Sequence, residues 1–236
     1  MTAPRPMLSW IVPLYRNGNF AAELIRQAHA AAADLNLSCE IVLVDDCCPE
    51  QSGEQAKEAA RRQSAARVRI IKLSVNQGQD SAIRVGLREC AGNYALIIDG
   101  DLQDPPEILA RLWAHLEQTQ TDVIFAARHG TYAAPGKLRT SRLYRRTMSW
   151  VGGLPAGAGV CALLNRKAID AVAGTRVRRI SLLAALAGAR LRCASVPVLR
   201  VIRSNGSSAY NTWTRTDKAL HSLLQTMRAR WLRLPL

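Results

Sequence analysis

Along the first half of the chain, short apolar runs alternate with longer segments whose apolar residues recur every three or four positions. Leu8-Ser-Trp-Ile-Val-Pro13 is a short apolar run closed by proline, which predicts a strand. Phe20 to Asn36 is alanine-rich, with Leu24, Ala28, Ala31 and Leu35 at helical spacing. Glu40-Ile-Val-Leu-Val44 predicts a buried strand with acidic residues at its C-terminal end. Ser52 to Ala66 reads as a polar helix, and Val68 to Leu73 as a third strand. Asp80 to Cys90 is a helix that packs through Ala82, Val85, Gly86 and Leu87. Tyr94 to Ile98 is a fourth strand, followed directly by Asp99. Pro105-Pro106-Glu107 opens a helix that runs to about Gln118, since proline is tolerated in a first turn. Asp122 to Ala126 is a fifth strand.

The second half is less regular. Residues 152–159 form a glycine-rich loop, Arg166 to Val172 and Ile180 to Ala189 read as short helices, and Cys193 to Val201 as a strand. Arg203 to Ala209 is a polar loop. In the segment 217–236, Leu220, Leu223, Leu224, Met227, Trp231 and Leu234 fall on one helical side, accompanied by Lys218, Arg228, Arg230 and Arg233. The expected organisation is therefore one α/β domain, 1–216, and an amphipathic helix, 217–236, suited either to a membrane interface or to packing on the domain.

The strand–helix alternation implies an α/β fold with a mainly parallel sheet covered by helices on both faces. Ligands of such sheets sit outside the carboxyl ends of the strands. Asp45-Asp46 and Asp99-Gly100-Asp101 both fall there.

Composition narrows the classes. With 48% hydrophobic residues in 236, the chain has enough to bury a full core, which excludes a disordered protein. No apolar run reaches about 18 residues, so no membrane-spanning helix is expected, and the first residues lack the apolar stretch of a signal peptide. The six cysteines include no C-x-x-C pair and no histidine at zinc-finger spacing, which points to a reducing compartment. Vicinal Cys47 and Cys48 read as small-residue filling. His29, His115, His129 and His221 read as surface residues, and the tryptophans as packing, except Trp231, whose helix points to an interface role.

Charge adds a second asymmetry. Residues 1–127 carry a net charge of −4 and residues 128–236 one of +18. A basic half suits an anionic partner: a phosphorylated substrate, anionic lipid or nucleic acid. The nucleic-acid reading has no helix-turn-helix or aromatic RNA motif behind it and leaves the acidic D-x-D unexplained, so no nucleic-acid partner is expected.

The acidic string has its own chemistry. Two carboxylates around a small residue after a strand can hold Mg²⁺ or Mn²⁺, which take one or two carboxylates plus substrate phosphates. The longer string Asp99-Gly-Asp-Leu-Gln-Asp-Pro-Pro-Glu107 is far more specific than the triplet. It is accompanied, in order, by Ile11-Val-Pro-Leu-Tyr15, Val44-Asp-Asp-Cys-Cys-Pro-Glu50, Asn76-Gln-Gly-Gln-Asp-Ser-Ala82 with Gly86, and Arg128. Lys137, Ser141 and Tyr144 follow, then Arg203-Ser-Asn-Gly206-Ser-Ser208. Together these resemble family-2 glycosyltransferases, in particular the branch of dolichyl-phosphate mannose synthase and bacterial polyprenyl-phosphate glycosyltransferases, over roughly residues 8–236.

The resemblance implies a GT-A fold and inverting transfer from a UDP- or GDP-sugar to a dolichyl- or undecaprenyl-phosphate acceptor, by an enzyme peripheral at the cytoplasmic face of a membrane. By motif position, Pro13, Tyr15, Asn17, Val44, Asp46, Asp99, Gly100 and Asp101 would bind the nucleotide-sugar. Asp99, Asp101 and Gln103 would hold the metal. Asp101, Arg128, Lys137, Ser141 and Arg203 would form the catalytic set around the diphosphate and the acceptor phosphate.

The chain also departs from the family pattern. Arg16-Asn17 stands for Asn-Glu, Lys137 for the usual arginine, and Ala209 for a frequent lysine. Gly159-Val-Cys-Ala-Leu-Leu-Asn-Arg166 stands for G-D-F-R-L-x-D-R, so Val160 and Ala162 replace an aspartate and an arginine, and the resemblance gives that aspartate the role of base. Transfer to a hydroxyl needs a proton acceptor. A phosphate monoester, largely dianionic at neutral pH, needs little. The pattern therefore fits a lipid-phosphate acceptor better than a hydroxyl on a glycan or small molecule, which remains the alternative.

Overall fold

The computed structural model describes residues 5–63, 67–129, 152–177, 180–199 and 224–228. Among them, seven strands form one sheet: β1 (Leu8–Leu14), β2 (Cys39–Asp45), β3 (Val68–Lys72), β4 (Tyr94–Ile97), β5 (Val123–His129), β6 (Ala162–Asn165) and β7 (Cys193–Leu199). Their spatial order is β3-β2-β1-β4-β6-β5-β7. The pairs among β1–β4 and the β5–β7 pair are parallel, whereas β6 runs antiparallel to both β4 and β5. The helices are α1 (Ala21–Ala33), α2 (Ser52–Arg62), α3 (Gln79–Glu89), α4 (Ile108–Thr119), α5 (Arg166–Ala173) and α6 (Leu182–Gly188), with a 3₁₀ turn, Gly18–Phe20, leading into α1.

The near-continuous apolar runs of β1 and β2 follow from burial on both faces. Side chains alternate across the sheet with period two. Ile11, Val42, Val44, Ile97 and Phe125 pack with Ile83 and Leu87 of α3, Ile169 of α5 and Leu186 of α6. Trp10, Val12, Leu14, Leu43 and Leu96 pack with Leu24 and Ile25 of α1 and with Leu109 and Leu112 of α4. The mainly parallel sheet and its two helical layers are as expected from the alternation.

Strand β6 was not expected. It is only four residues long, and periodicity cannot separate so short an apolar run from a loop or a helix start. Insertion between β4 and β5 buries Ala162, Leu163 and Leu164 completely. Its antiparallel direction sets Ala162 opposite Ile97, so β6 begins at the edge where β4 ends.

At the opposite edge, Asp122 is buried at the start of β5. It accepts hydrogen bonds from the Arg192 backbone N–H (2.8 Å), the Asn165 amide (3.1 Å) and the Lys167 ammonium (3.3 Å). Burial raises the pKa of this carboxyl, but the Arg192 N–H and the Asn165 and Lys167 side chains outweigh it and hold the group below the ordinary aspartate value. Asn165 also caps α5, accepting from the Ala168 N–H at 3.0 Å.

Two expectations change. His29 is half-buried rather than superficial: its Nδ1 lies 3.6 Å from Cys39 Sγ, its Nε2 is enclosed without a hydrogen-bond partner, and burial lowers its pKa. Cys48 is more than filling, as described below. Of the segment 217–236, residues 224–228 are described and helical. Their polar side faces the domain: Thr226 is fully buried, and Gln225 Oε1 accepts the Ser181 N–H at 2.9 Å beside the N-terminus of α6. Leu224 and Met227 are 48% and 44% exposed. No described helix is long and apolar enough to cross a membrane.

Replacing Asp122 with alanine is expected to destabilise the protein by about 2–3 kcal/mol at pH 7, because charge-assisted hydrogen bonds are lost and buried donors are left unpaired. The folded carboxyl titrates below its unfolded value near 3.9, so its contribution is complete above that value and fades as the pH falls through the folded one. Urea unfolding of wild type and Asp122→Ala between pH 7 and pH 3 should show the gap closing at the acid end.

Candidate active site

The carboxyl ends of β1, β2, β3 and β4 open along one edge of the sheet. β1 ends at Leu14 opposite Asp45, the last residue of β2. Asp45 folds its own loop: Oδ1 accepts the Cys48 N–H at 2.8 Å and Oδ2 the Gly53 N–H at 3.2 Å, tying β2 to the start of α2. Asp46 reaches the other way. Its Oδ1 accepts the Gln77 N–H and its Oδ2 the Gly78 N–H, both at 2.7 Å. Gly78 takes φ +88°, a conformation glycine adopts without a Cβ penalty, and α3 starts at the next residue. Asn76 and Gly78 thus belong to the strand-to-helix turn the sequence suggested, and Asp46 is what holds that turn.

The loop after β1 is built against α2. The N–H groups of Asn17 (3.3 Å) and Gly18 (3.2 Å) donate to Ser52 Oγ, which donates to Cys48 Sγ at 3.2 Å. The Arg16 N–H donates to the same sulfur at 3.1 Å. Burial alone would raise the Cys48 pKa, but the Ser52 hydroxyl and the N–H groups of Ser52, Arg16 and Glu50 outweigh it and lower it. The Asn17 side chain accepts the Tyr15 N–H at 2.9 Å. Arg16 lies over the Tyr15 ring, 5.6 Å from its centroid, and its Nε is 3.5 Å from Glu50 Oε1. Tyr15 is an exposed large side chain at this rim.

Residues 99–103 leave β4 into the same region. Asp101 Oδ1 accepts the Gln103 N–H at 3.1 Å, and Leu102 between them takes φ +57°. Asp99, Asp101 and Gln103 are all partly exposed. Gly100 is buried: a Cβ there would lie 2.7 Å from Asn17 Nδ2, 3.1 Å from Leu14 Cδ2 and 3.2 Å from Val12 Cγ1. The small residue of the D-x-D is thus imposed by the close approach of the β1 loop. Gln79, the first residue of α3, donates through Nε2 to Asp99 Oδ1 at 2.6 Å.

The structure therefore brings Tyr15, Asn17, Asp46, Asp99, Gly100, Asp101 and Gln103 to one edge. Pro13 and Val44 are buried below that rim, and Val44 packs in the core with Ile11 and α3, so they support the edge from beneath. The backbone of β5 carries Arg128 to its C-terminal end, paired with Val198 of β7. Lys137, Ser141, Tyr144, Arg203, Gly206 and Ser208 lie outside the described residues. Sequence reasoning passed over Ser52, Cys48 and Gln79. Only the position of Gln79 directly after the Asn76–Gly78 turn hinted at its reach.

Two carboxylates and an amide oxygen form a hard donor set that fits Mg²⁺ or Mn²⁺ with positions left for phosphate oxygens. Among the described residues no three His, Cys, Asp or Glu side chains cluster as an all-protein metal cage.

Comparison with known proteins gives a consistent picture. The family model described as glycosyl transferase family 2 matches residues 9–173. The chain is 33% identical over 177 residues to an undecaprenyl-phosphate 4-deoxy-4-formamido-L-arabinose transferase of Pseudomonas savastanoi pv. phaseolicola, covering 74% of this chain and 52% of that protein. It is 28% identical over 233 residues to the protein of that name from Klebsiella pneumoniae, covering 98% and 70%. The chain thus spans about half the length of the first of these relatives. Among solved structures, a mannosyltransferase from Pyrobaculum calidifontis in complex with GDP-Man and Mn²⁺ superposes with a TM-score of 0.64 at 16% identity, covering 96% of this chain and 70% of that one.

Gly100→Ala should force Asn17 aside and disturb the Tyr15 amide it holds, at a cost of about 1–3 kcal/mol typical of overpacking. Amide spectra should show shifts at Tyr15 and Asn17 with core β2 amides unmoved. Adding Asn17→Ala should recover part of the lost stability, and no recovery would mean that Leu14 and Val12 carry the clash.

Proposed function

The chain belongs to glycosyl transferase family 2, and from that premise we propose that it transfers a sugar from a nucleotide-sugar to a polyprenyl phosphate, with inversion, at the cytoplasmic face of a membrane. The observation that carries this reading is the convergence of Asp99, Asp101 and Gln103 with the β1 and β2 loops at the carboxyl edge, where α/β sheets bind ligands. The relatives' names support an undecaprenyl-phosphate acceptor.

In the proposed reaction, Tyr15, Asn17 and Asp46 flank the nucleoside, and Asp99 and Asp101 face the diphosphate. An acceptor phosphate oxygen attacks the anomeric carbon from the face opposite the diphosphate. The new C–O bond forms as the bond to the diphosphate oxygen breaks, and the nucleoside diphosphate leaves with that electron pair. Mg²⁺ or Mn²⁺ held by Asp99, Asp101 and Gln103 would supply Lewis-acid neutralisation of the leaving charge. Arg128, Lys137, Ser141 and Arg203 are assigned to the acceptor phosphate and the departing diphosphate, as the resemblance implies. The basic second half provides the charge for that task.

Strand β6 supports the choice of acceptor. It begins at the active edge, and there the chain has Val160, partly buried against the core, where the family has an aspartate. A phosphate acceptor is already ionised and needs no base at that position. Docking is assigned to the C-terminal segment. Its described turn is tied down through Thr226 and Gln225 and exposes Leu224 and Met227 with Arg228 beside them. Apolar side chains facing outward next to basic residues suit an interfacial helix on anionic lipid.

Undecaprenyl phosphate offered with a panel of UDP- and GDP-sugars should yield a glycosyl phospholipid detectable by mass. Asp101→Ala or chelation should abolish it, whereas retained turnover would refute metal dependence. Arg128→Ala and Arg203→Ala should each cost about 2–4 kcal/mol in kcat/KM, and a hydroxyl acceptor outperforming the phosphate would overturn the acceptor assignment.

Vesicle flotation checks the docking. Full-length protein should bind vesicles containing phosphatidylglycerol at low salt and release at high salt. Leu224→Asp with Met227→Asp, both at exposed positions, should abolish binding without lowering Tm. Unchanged binding would place the membrane contact elsewhere.

A further inference from the structure

Gln79 lies on α3, an element that the site assignments above leave out, yet it makes one of the shortest side-chain contacts at the active edge. Its Nε2 donates to Asp99 Oδ1 at 2.6 Å. The two residues are brought together by topology. β3 and β4 are separated in the sheet by β2 and β1, and α3 spans that gap, packing with Ile83 and Leu87 on the core layer of Ile11 and Val44. Its N-terminus therefore opens at the carboxyl edge, and its first residue faces the end of β4. The turn before it is fixed independently, because both oxygens of Asp46 hold the N–H groups of Gln77 and Gly78. Gln79 thus projects from a pinned position.

We propose that Gln79 is a positioning residue for the donor: its amide orients the Asp99 carboxylate, and so sets the affinity for the metal–nucleotide diphosphate. This deepens the functional reading above and rests on it. The physical basis is that Asp99 sits on a short loop after β4, with one oxygen engaged by a donor from a separate, rigid element. A neutral amide is suited to this. It donates to the carboxylate without cancelling the negative charge that a divalent cation or a donor hydroxyl group would read. A carboxylate held in one orientation loses less freedom when a ligand binds than one free to rotate. Because Gln79 is itself exposed, the contact is not needed to complete the core, and its removal should be felt in binding rather than in folding.

The experiment compares wild type, Gln79→Ala and Gln79→Met, the last keeping a neutral side chain of similar size with no proton to donate. Calorimetric titration with UDP and with GDP, each with Mn²⁺, is paired with steady-state kinetics and thermal melts. Gln79→Ala should weaken the nucleotide that wild type binds by about tenfold and raise donor KM to match. Its kcat, acceptor KM and Tm should stay near wild type, the signature of lost ground-state binding. Gln79→Met should be as weak as Gln79→Ala, because the donor and not the bulk of the side chain orients Asp99. Equal affinity in wild type and Gln79→Ala, or a methionine variant that binds as tightly as wild type, would overturn the positioning role. A wild-type protein that binds neither nucleotide would instead strike the glycosyltransferase reading, and this proposal with it.

Discussion

The parallel pairing of β1 with β2 on one side and β4 on the other decides the level at which three segments leave the sheet. Leu14 stands opposite Asp45, and Ile11 opposite Ile97. Because the pairs share one direction, the polar residues that end each strand emerge on one edge and not alternately on two. Everything chemical in the described structure follows from that coincidence of level. Asn17 can lie against Gly100 only because the β1 loop and the Asp99–Asp101 loop start side by side.

The edge is polar, and its internal hydrogen bonds explain how it stays ordered. Asp45 and Asp46 are adjacent and both buried, and two buried carboxylates side by side are costly unless donors surround them. They are served in opposite directions, Asp45 by the N-terminal turn of α2 and Asp46 by the turn before α3. Each carboxylate thereby locates one helix relative to β2. The same device recurs at the far edge, where Asp122 gathers β6, α5 and β7 around the start of β5. The fold is pinned by acids at both ends of an apolar slab, and those at one end border the edge to which the proposed reaction assigns the nucleotide-sugar.

Membership in the family and the geometry of the edge account for different halves of the molecule. The acidic first half supplies the described loops at the carboxyl edge, which are assigned to the nucleotide-sugar only in the proposed reaction. The basic second half enters the described site through β5, which delivers the backbone of Arg128, and through β6, which begins at the same rim. In the proposed reaction this division separates binding of the donor from neutralisation of the phosphates.

By itself the sequence determined the strand–helix alternation, the parallel sheet, the carboxyl edge where the acidic residues gather and the Asp99–Glu107 string that marks the family. These are local or periodic properties, legible because buried strands and amphipathic helices leave a pattern along the chain. The tertiary structure alone decided what depends on contacts between distant segments. Strand β6 exists because β4 and β5 enclose four residues too few to carry a period. His29 is half-buried because α1 packs beside Cys39, although its neighbours in sequence suggested a surface. Asp46 holds a turn 31 residues away, and Gln79 meets Asp99 across 20 residues. The outward face of Leu224 and Met227 was likewise open in the sequence, since one stripe at helical spacing suits a core or an interface equally. The burial of Thr226 leaves Leu224 and Met227 on the side of that turn away from the domain, because a helix can turn only one side toward the domain.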